Sequence, residues 1–307
     1  MALHIESPLL PSHALSRQAG LEVFLKLDAV QPAGSFKIRG IGHACEVHQA
    51  RGARRFISSS GGNAGYAVAY AGRQLGIPVT VVVPETTSEH AKAMIAQEDA
   101  QVIVHGASWH EANEHAQGLL DGGSVFIHPF DDPLLWEGHA TMMVEAARQM
   151  PKPDVVICSV GGGGLLAGVA HGLEQVGWGD VGILAAETVG ADSFAQALRA
   201  GAPVLLEAIT SIASSLGARQ VSAQVVGLPS RLAVRSCVLT DADAVRGCDT
   251  LLATQRLLTE PACGVSIAAL DEVKAHFPGA KRVLVIVCGG VGTTAERLMS
   301  WRAQYLA

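Results

Sequence analysis

Residues 154–170 read DVVICSVGGGGLLAGVA, and this stretch decides the fold. An apolar, β-branched run from Val155 to Ile157 ends in four glycines, Gly161–Gly164, and Leu and Ala then recur at helical spacing. The spacing predicts a strand, a tight turn and a helix. No Asp, Glu, Lys or Arg occurs from Val155 to Leu173, which approaches the length of a membrane span. Four glycines in its middle would cost such a helix about 1 kcal/mol each. A buried strand–turn–helix unit is therefore expected, in a soluble protein.

The same unit recurs on either side. Val79–Val83, Val102–Val104, Ile183–Ala186 and Val283–Val287 are continuous apolar runs, as strands buried on both faces of a parallel sheet require. Helical patterns cover Ala64–Leu75, Glu89–Gln97, Pro133–Met150, Leu165–Val176, Asp241–Leu258 and Thr293–Tyr305. Alternation of this kind predicts an α/β protein with open, doubly wound sheets and ligands at the carboxyl ends of strands. No clean linker divides the chain; Pro129–Pro133 (PFDDP) is the best boundary signal, and there is no repeat or low-complexity tract.

Composition narrows the function. With 49% apolar and 16% charged residues, the 307-residue chain can build two compact units with large cores. A net charge of −6 without a Lys/Arg stripe argues against a nucleic-acid partner. The six scattered cysteines form no CxxC pair and read as reduced, cytosolic thiols, and no secretory signal is visible at the N-terminus. His105, His110 and His115 follow no metal-binding pattern and read as ordinary residues.

Three turns follow a strand-like run and precede a helix-like one: Ser58–Gly65 (SSSGGNAG), Ser159–Gly168 (SVGGGGLLAG) and Cys288–Thr294 (CGGVGTT). Helix N-termini expose unpaired N–H groups, and glycines let an anion approach them. Each turn could hold a phosphate or a carboxylate. Gly162–Ala167 also fits the weaker dinucleotide pattern GxGxxA, with Glu187 ending the next strand, so an NAD-dependent dehydrogenase is a competing reading. That fingerprint normally opens its domain, whereas this one lies at mid-chain. Of only six lysines, Lys37 follows the turn PAGSF and opens a helical stretch over Ile38–Ala50. A helix N-terminus disfavours its charge and would depress its pKa, which suits an imine-forming amine.

Together PAGSFKIRG, SSSGGNAG, SVGGGGLLAGV, AAETVGADSF, LTEPACG and VIVCGG resemble the fold-type-II pyridoxal-phosphate enzymes. Within these the likeness is to the liver-type L-serine dehydratase/L-threonine deaminase group, and it runs through nearly the whole chain. FDDPLLWEGHA and QVGWGD extend it outside the glycine turns. The resemblance implies a tryptophan-synthase-β-like fold, with a large domain over 1–37 and 133–307, a smaller one over 38–132, and the cofactor in the cleft. It implies β-elimination of L-serine or L-threonine by a cytosolic homodimer that serves amino-acid catabolism. Serine-racemase or cysteine-synthase-like chemistry on the same fold is the nearest alternative.

Carried over by position, the resemblance makes Lys37 the Schiff-base lysine and sets Phe36 against the cofactor ring. Gly161, Gly162, Gly163, Gly164 and Leu165 cradle the phosphate, Asn63 bonds the ring oxygen, Ser215 lies over the ring, and Cys288 meets the ring nitrogen. Ser60, Gly61 and Asn63 receive the substrate carboxylate. Gly161, Glu187, Ala191, Leu216 and Ala218 match positions that hold a monovalent cation, potassium being expected. Cys288 is a weak partner for the ring nitrogen compared with a carboxylate, which favours elimination over transamination. Two positions depart from their counterparts. Gly61 stands where racemases of this fold carry a hydroxyl, and Ser215 replaces a small apolar residue. The chain ends soon after Cys288, so the isoleucine control of biosynthetic threonine deaminases is not expected. Glu260 and Pro261 read as a structural turn near the ring, and Asp131 and Asp132 as caps for the helix that begins near Pro133.

Overall fold

The computed structural model describes residues 2–306. Ten strands occur among them: β1 (Leu9–Pro11), β2 (Glu22–Lys26), β3 (Arg55–Ser58), β4 (Val79–Val83), β5 (Gln101–Val104), β6 (Ser124–Phe126), β7 (Val155–Ser159), β8 (Gly182–Thr188), β9 (Val234–Leu239) and β10 (Arg282–Ile286). They form a six-stranded sheet in the order β1-β2-β10-β7-β8-β9 and a four-stranded sheet in the order β5-β4-β3-β6. Pairing is parallel throughout, except that β1 runs antiparallel to β2 at the edge. Every residue of β4, β7 and β8 is buried, as continuous apolar runs require when helices cover both faces.

The strand orders position the site. In the smaller sheet the chain steps outward through β3, β4 and β5, then returns to the other side of β3 as β6. In the larger sheet it steps through β7, β8 and β9, then returns to the other side of β7 as β10. Each return is a topological switch point, where loops leave neighbouring strands in opposite directions and open a crevice. The glycine-rich turns read from the sequence follow β3, β7 and β10. All three therefore belong to switch points.

Among the described residues, no helix is long and apolar enough to cross a membrane. The helices deviate from expectation mainly at their ends. The predicted Asp241–Leu258 helix stops at Gln255, where Arg256 adopts a left-handed conformation, and the last helix starts at Ala295 with Thr294 as its cap. His105 lies just after β5, and its ring stacks 4.1 Å from that of His115.

Glycine serves the helix crossings as well as the turns. Helix Lys37–Ala50 crosses helix Pro133–Gln149 at Gly40 and Gly138. A methyl group on Gly138 would lie 2.3 Å from the Arg39 carbonyl oxygen and 2.6 Å from Gly40 Cα. Both are backbone atoms that cannot swing aside. Gly138→Ala is expected to destabilise the protein by roughly 1–3 kcal/mol through overpacking, despite the ~1 kcal/mol that helix propensity returns. A urea midpoint equal to or above that of the parent protein would refute this close approach.

Candidate active site

Backbone hydrogen bonds knit Lys37 to the turn after β10. Phe36 N donates to the Cys288 carbonyl at 3.0 Å, Gly290 N to the Gly34 carbonyl at 2.9 Å, and Ser35 bridges Gly289. Gly289 has a φ of +89° and a methyl there would sit 2.4 Å from the Gly34 oxygen, so the two segments meet backbone to backbone. Lys37 is the first residue of its helix, as the sequence suggested. Its ammonium donates to the Pro129 carbonyl at 2.5 Å and lies 5.2 Å from the Phe36 ring centroid. Pro129 leaves β6, so Lys37 reaches across to the switch point of the smaller sheet.

Burial lowers the Lys37 pKa to about 8, against the opposing pull of Glu260 and Cys288. The sequence reading placed the cause in the helix terminus; desolvation leads instead. Two residues on, Arg39 fastens the same helix. It is fully buried and bonds Asp28 at 2.7 and 2.9 Å and Glu145 at 2.6 and 2.8 Å, while Lys26 completes the cluster at 2.6 Å from Glu145. Two cations thus face two carboxylates with bidentate geometry, which compensates their desolvation. Asp28, Arg39 and Glu145 come from three segments, so the cluster sets where the first turn carrying Lys37 can lie.

The four-glycine turn follows β7. Gly163 caps helix Gly164–Gln175 with a φ of +94°, and the N–H groups of Gly162, Gly163, Gly164 and Leu165 find no protein acceptor among the described residues. A methyl on Gly162 would strike the Phe130 ring at 2.2 Å, and one on Gly164 would lie 2.7 Å from the Phe130 carbonyl oxygen. Phe130 is the neighbour of Pro129, so the glycine turn packs on the segment that receives the Lys37 ammonium. Gly161 packs against Ser215 and Leu216, whose atoms would lie 3.0 Å from a methyl placed there. Ser159, at the end of β7, places its hydroxyl 3.6 Å from Cys288 Sγ. The Cys263 thiol and burial push the Cys288 thiol well above its ordinary range, so it stands as a neutral SH.

Asn63 opens helix Asn63–Leu75 and shares its turn with Ser60 and Gly61. Its Oδ1 accepts from Val291 N at 2.9 Å, and its Nδ2 donates to Glu260 Oε1 at 2.7 Å and Ser215 Oγ at 3.3 Å. The structure therefore brings Phe36, Lys37, Asn63, Gly161–Leu165, Ser215 and Cys288 into one connected cluster. Ser60 and Gly61 join it only through their turn. A methyl on Gly61 would lie 2.7 Å from Thr87 Cγ2, so a larger residue needs Thr87 to move.

Glu187, next to the last residue of β8, is fully buried, its two oxygens accepting from Phe194 N and Ala195 N at 2.8 Å each. Burial raises its pKa to about 8. No protein cation pairs with it among the described residues. Its neighbour Thr188 bonds Ser211 at 2.8 Å, in the loop that runs on to Leu216 and Ala218, while Ala191 closes a bridge to Thr188.

The sequence reading missed three participants. Pro129 offers only a carbonyl, which no side-chain pattern reveals. Glu260 was read as structural, yet it contacts Asn63 and sits beside Lys37. Asp131 was read as a second helix cap; Asp132 does cap Leu134 N at 2.8 Å, but Asp131 accepts from Ser222 Oγ at 2.5 Å beside the glycine turn.

Comparison with known proteins agrees with this geometry. The family described as "Pyridoxal-phosphate dependent enzyme" matches residues 2–289. "Serine dehydratase-like" of Mus musculus is 47% identical over 98% of this chain and 94% of its own, and "L-serine dehydratase/L-threonine deaminase" of the same species is 45% identical over 99% and 96%. The crystal structure of a fungal L-serine ammonia-lyase from Rhizomucor miehei superposes with a TM-score of 0.95 at 33% identity, covering 99% of this chain and all of that one. The match is to the whole fold and not to one motif, and on it the chain belongs to the family of pyridoxal-phosphate dependent enzymes.

Proposed function

We propose that this protein is a pyridoxal 5'-phosphate-dependent ammonia-lyase that converts L-serine, L-threonine or both to pyruvate or 2-oxobutyrate plus ammonia. The observation that carries the reading is a desolvated Lys37 amine bonded to Pro129, whose neighbour Phe130 packs on the glycine turn, at paired switch points, in a chain whose relatives are named for this reaction along their whole length.

The residues present fit the cofactor. Four N–H groups without a protein acceptor among the described residues stand at a helix start, three of them on glycines where a methyl would clash, and they suit a phosphate. Lys37 would hold the aldehyde, Phe36 and Ser215 would lie against the ring, Asn63 would bond its oxygen, and Cys288 would face its nitrogen. When bound, the group supplies an electron sink for charge that develops at the substrate's Cα. Lys37, with its pKa near 8, can act as the base that takes the α-proton and then as the acid that hands a proton to the departing β-hydroxyl, which leaves as water. The turn of Ser60, Gly61 and Asn63 would orient the substrate carboxylate at a helix N-terminus. A neutral Cys288 thiol would leave the ring nitrogen unprotonated, which would favour prompt loss of the β-hydroxyl.

Cys288→Asp is expected to slow pyruvate release and to raise the share of transamination, and an unchanged rate and product ratio would contradict the role of the thiol. The defining assay measures pyruvate or 2-oxobutyrate and ammonia from L-serine and L-threonine, with D-serine monitored alongside. A colourless protein that takes up NADH, or D-serine formation matching pyruvate formation, would overturn the reading.

Finer features belong to the same proposal. Glu187, with carbonyls from Gly161, Ala191, Leu216 and Ala218, would hold a monovalent cation; a buried carboxylate without a protein cation fits that role, and comparing rates in potassium and sodium salts tests it. Two domains, 1–37 with 133–307 and 38–132, would close over the cofactor, each holding one of the two sheets. The chain would act in the cytosol as a homodimer; six free, buried cysteines suit a reducing compartment, and light scattering reads the assembly.

A further inference from the structure

An Asn side chain can present either an N–H or an oxygen toward a ligand, and something must decide which. At Asn63 the decision is made from two sides. Val291 N–H holds Oδ1 at 2.9 Å, and Glu260 Oε1 takes one hydrogen of Nδ2 at 2.7 Å. That leaves the second hydrogen, now spent on a 3.3 Å contact with Ser215 Oγ. Glu260 itself is only 7% exposed and immediately precedes helix Pro261–Ala268, its side chain making no capping bond to it. A methyl on Gly290 would lie 2.1 Å from its Cδ, so the turn after β10 leaves the carboxyl no room to swing away. The titratable groups facing it are Lys37, Cys248 and Cys288.

We propose that Glu260 is a positioning residue for the cofactor, locking the Asn63 amide so that its second N–H points at the cofactor's ring oxygen. The inference rests on the reading of Asn63 given above. The Ser215 contact is the weaker of the two and is the one surrendered when that oxygen arrives. The carboxyl oxygen that accepts from the amide at 2.7 Å polarises it and strengthens the bond it then donates. The contact also joins residues 197 apart in the chain, from the start of a helix over the smaller sheet to one over the larger.

The test is a double-mutant cycle on cofactor affinity. The full chain, stripped of cofactor, is titrated with pyridoxal 5'-phosphate and followed by fluorescence and visible absorption. Parent protein, Asn63→Ala, Glu260→Ala and the double variant are compared. Each single change is expected to weaken binding by roughly tenfold and to shift the absorption maximum in the same direction. The double variant is expected to bind no more weakly than Asn63→Ala, because the carboxylate acts through the amide. Equal, multiplying losses would overturn the inference while leaving Asn63 as a cofactor ligand. An Asn63→Ala protein of parental affinity would sink the assignment of Asn63 and this inference with it. If Glu260→Ala does not fold, Glu260→Asp keeps the carboxyl group, withdraws the acceptor by one methylene and runs the same cycle.

Discussion

Lys37→Ala is expected to lower pyruvate release from L-serine by at least about 10³-fold, the scale of losing a positioned general base. The loss exceeds that of an ordinary base because the same amine would anchor the cofactor. Added amines of small size are expected to restore part of the rate, since the pocket around the missing side chain stays formed. The same substitution is expected to stabilise the cofactor-free chain, and the sign follows from the pKa. Burial brings the Lys37 amine from 10.5 to about 8, so the unfolded chain holds its proton more tightly than the folded one. Below about pH 8 the amine is charged in both states and the full cost of burying that charge opposes folding. Between pH 8 and 10.5 the cost fades, and above 10.5 it is gone. The advantage of Lys37→Ala in urea unfolding should therefore be largest at neutral pH and vanish in alkali. A variant that keeps the parental rate refutes the catalytic assignment, and one less stable at neutral pH refutes the desolvation argument.

Gly163→Ala is expected to produce the second large loss. Gly163 has a φ of +94°, and a methyl there would lie 2.9 Å from Cγ2 of the fully buried Val225. Backbone strain and overpacking together amount to roughly 2–5 kcal/mol. Part of this falls on stability. The rest distorts the N–H groups that would face the phosphate, and cofactor affinity should drop by tenfold or more. Gly179→Ala is the control, because Gly179 is exposed with no atom within 4 Å of a methyl placed there. If Gly163→Ala bound the cofactor within about threefold of the parent, the glycine turn would not be the phosphate site.

Both positions were visible in the sequence for reasons of range. A buried parallel strand declares itself by a run such as VTVVV, and a phosphate-type turn by glycines between strand and helix. Each signal is complete within about ten residues. Lys37 stood out because lysine is rare here and opens a helix. Its environment was less legible. The sequence suggested a helix-terminus effect on its pKa, but burial under the Pro129–Phe130 segment leads, and that segment lies 92 residues away. Gly61 was noted for its missing side chain; that Thr87 fills the space beside it appears only when β3 and β4 are paired.

By itself the sequence determined an α/β chain with buried parallel strands, three anion-ready turns and one lysine at a helix start, because local periodicity and backbone freedom encode each of these. Tertiary structure decided the strand orders β5-β4-β3-β6 and β1-β2-β10-β7-β8-β9, which bring those turns to two switch points. It also decided that Glu260 grips Asn63, that Arg39 joins Asp28 and Glu145, and that Pro129 receives the lysine. Hydrogen bonds of that kind depend on which strands become neighbours, and no window along the chain contains that information.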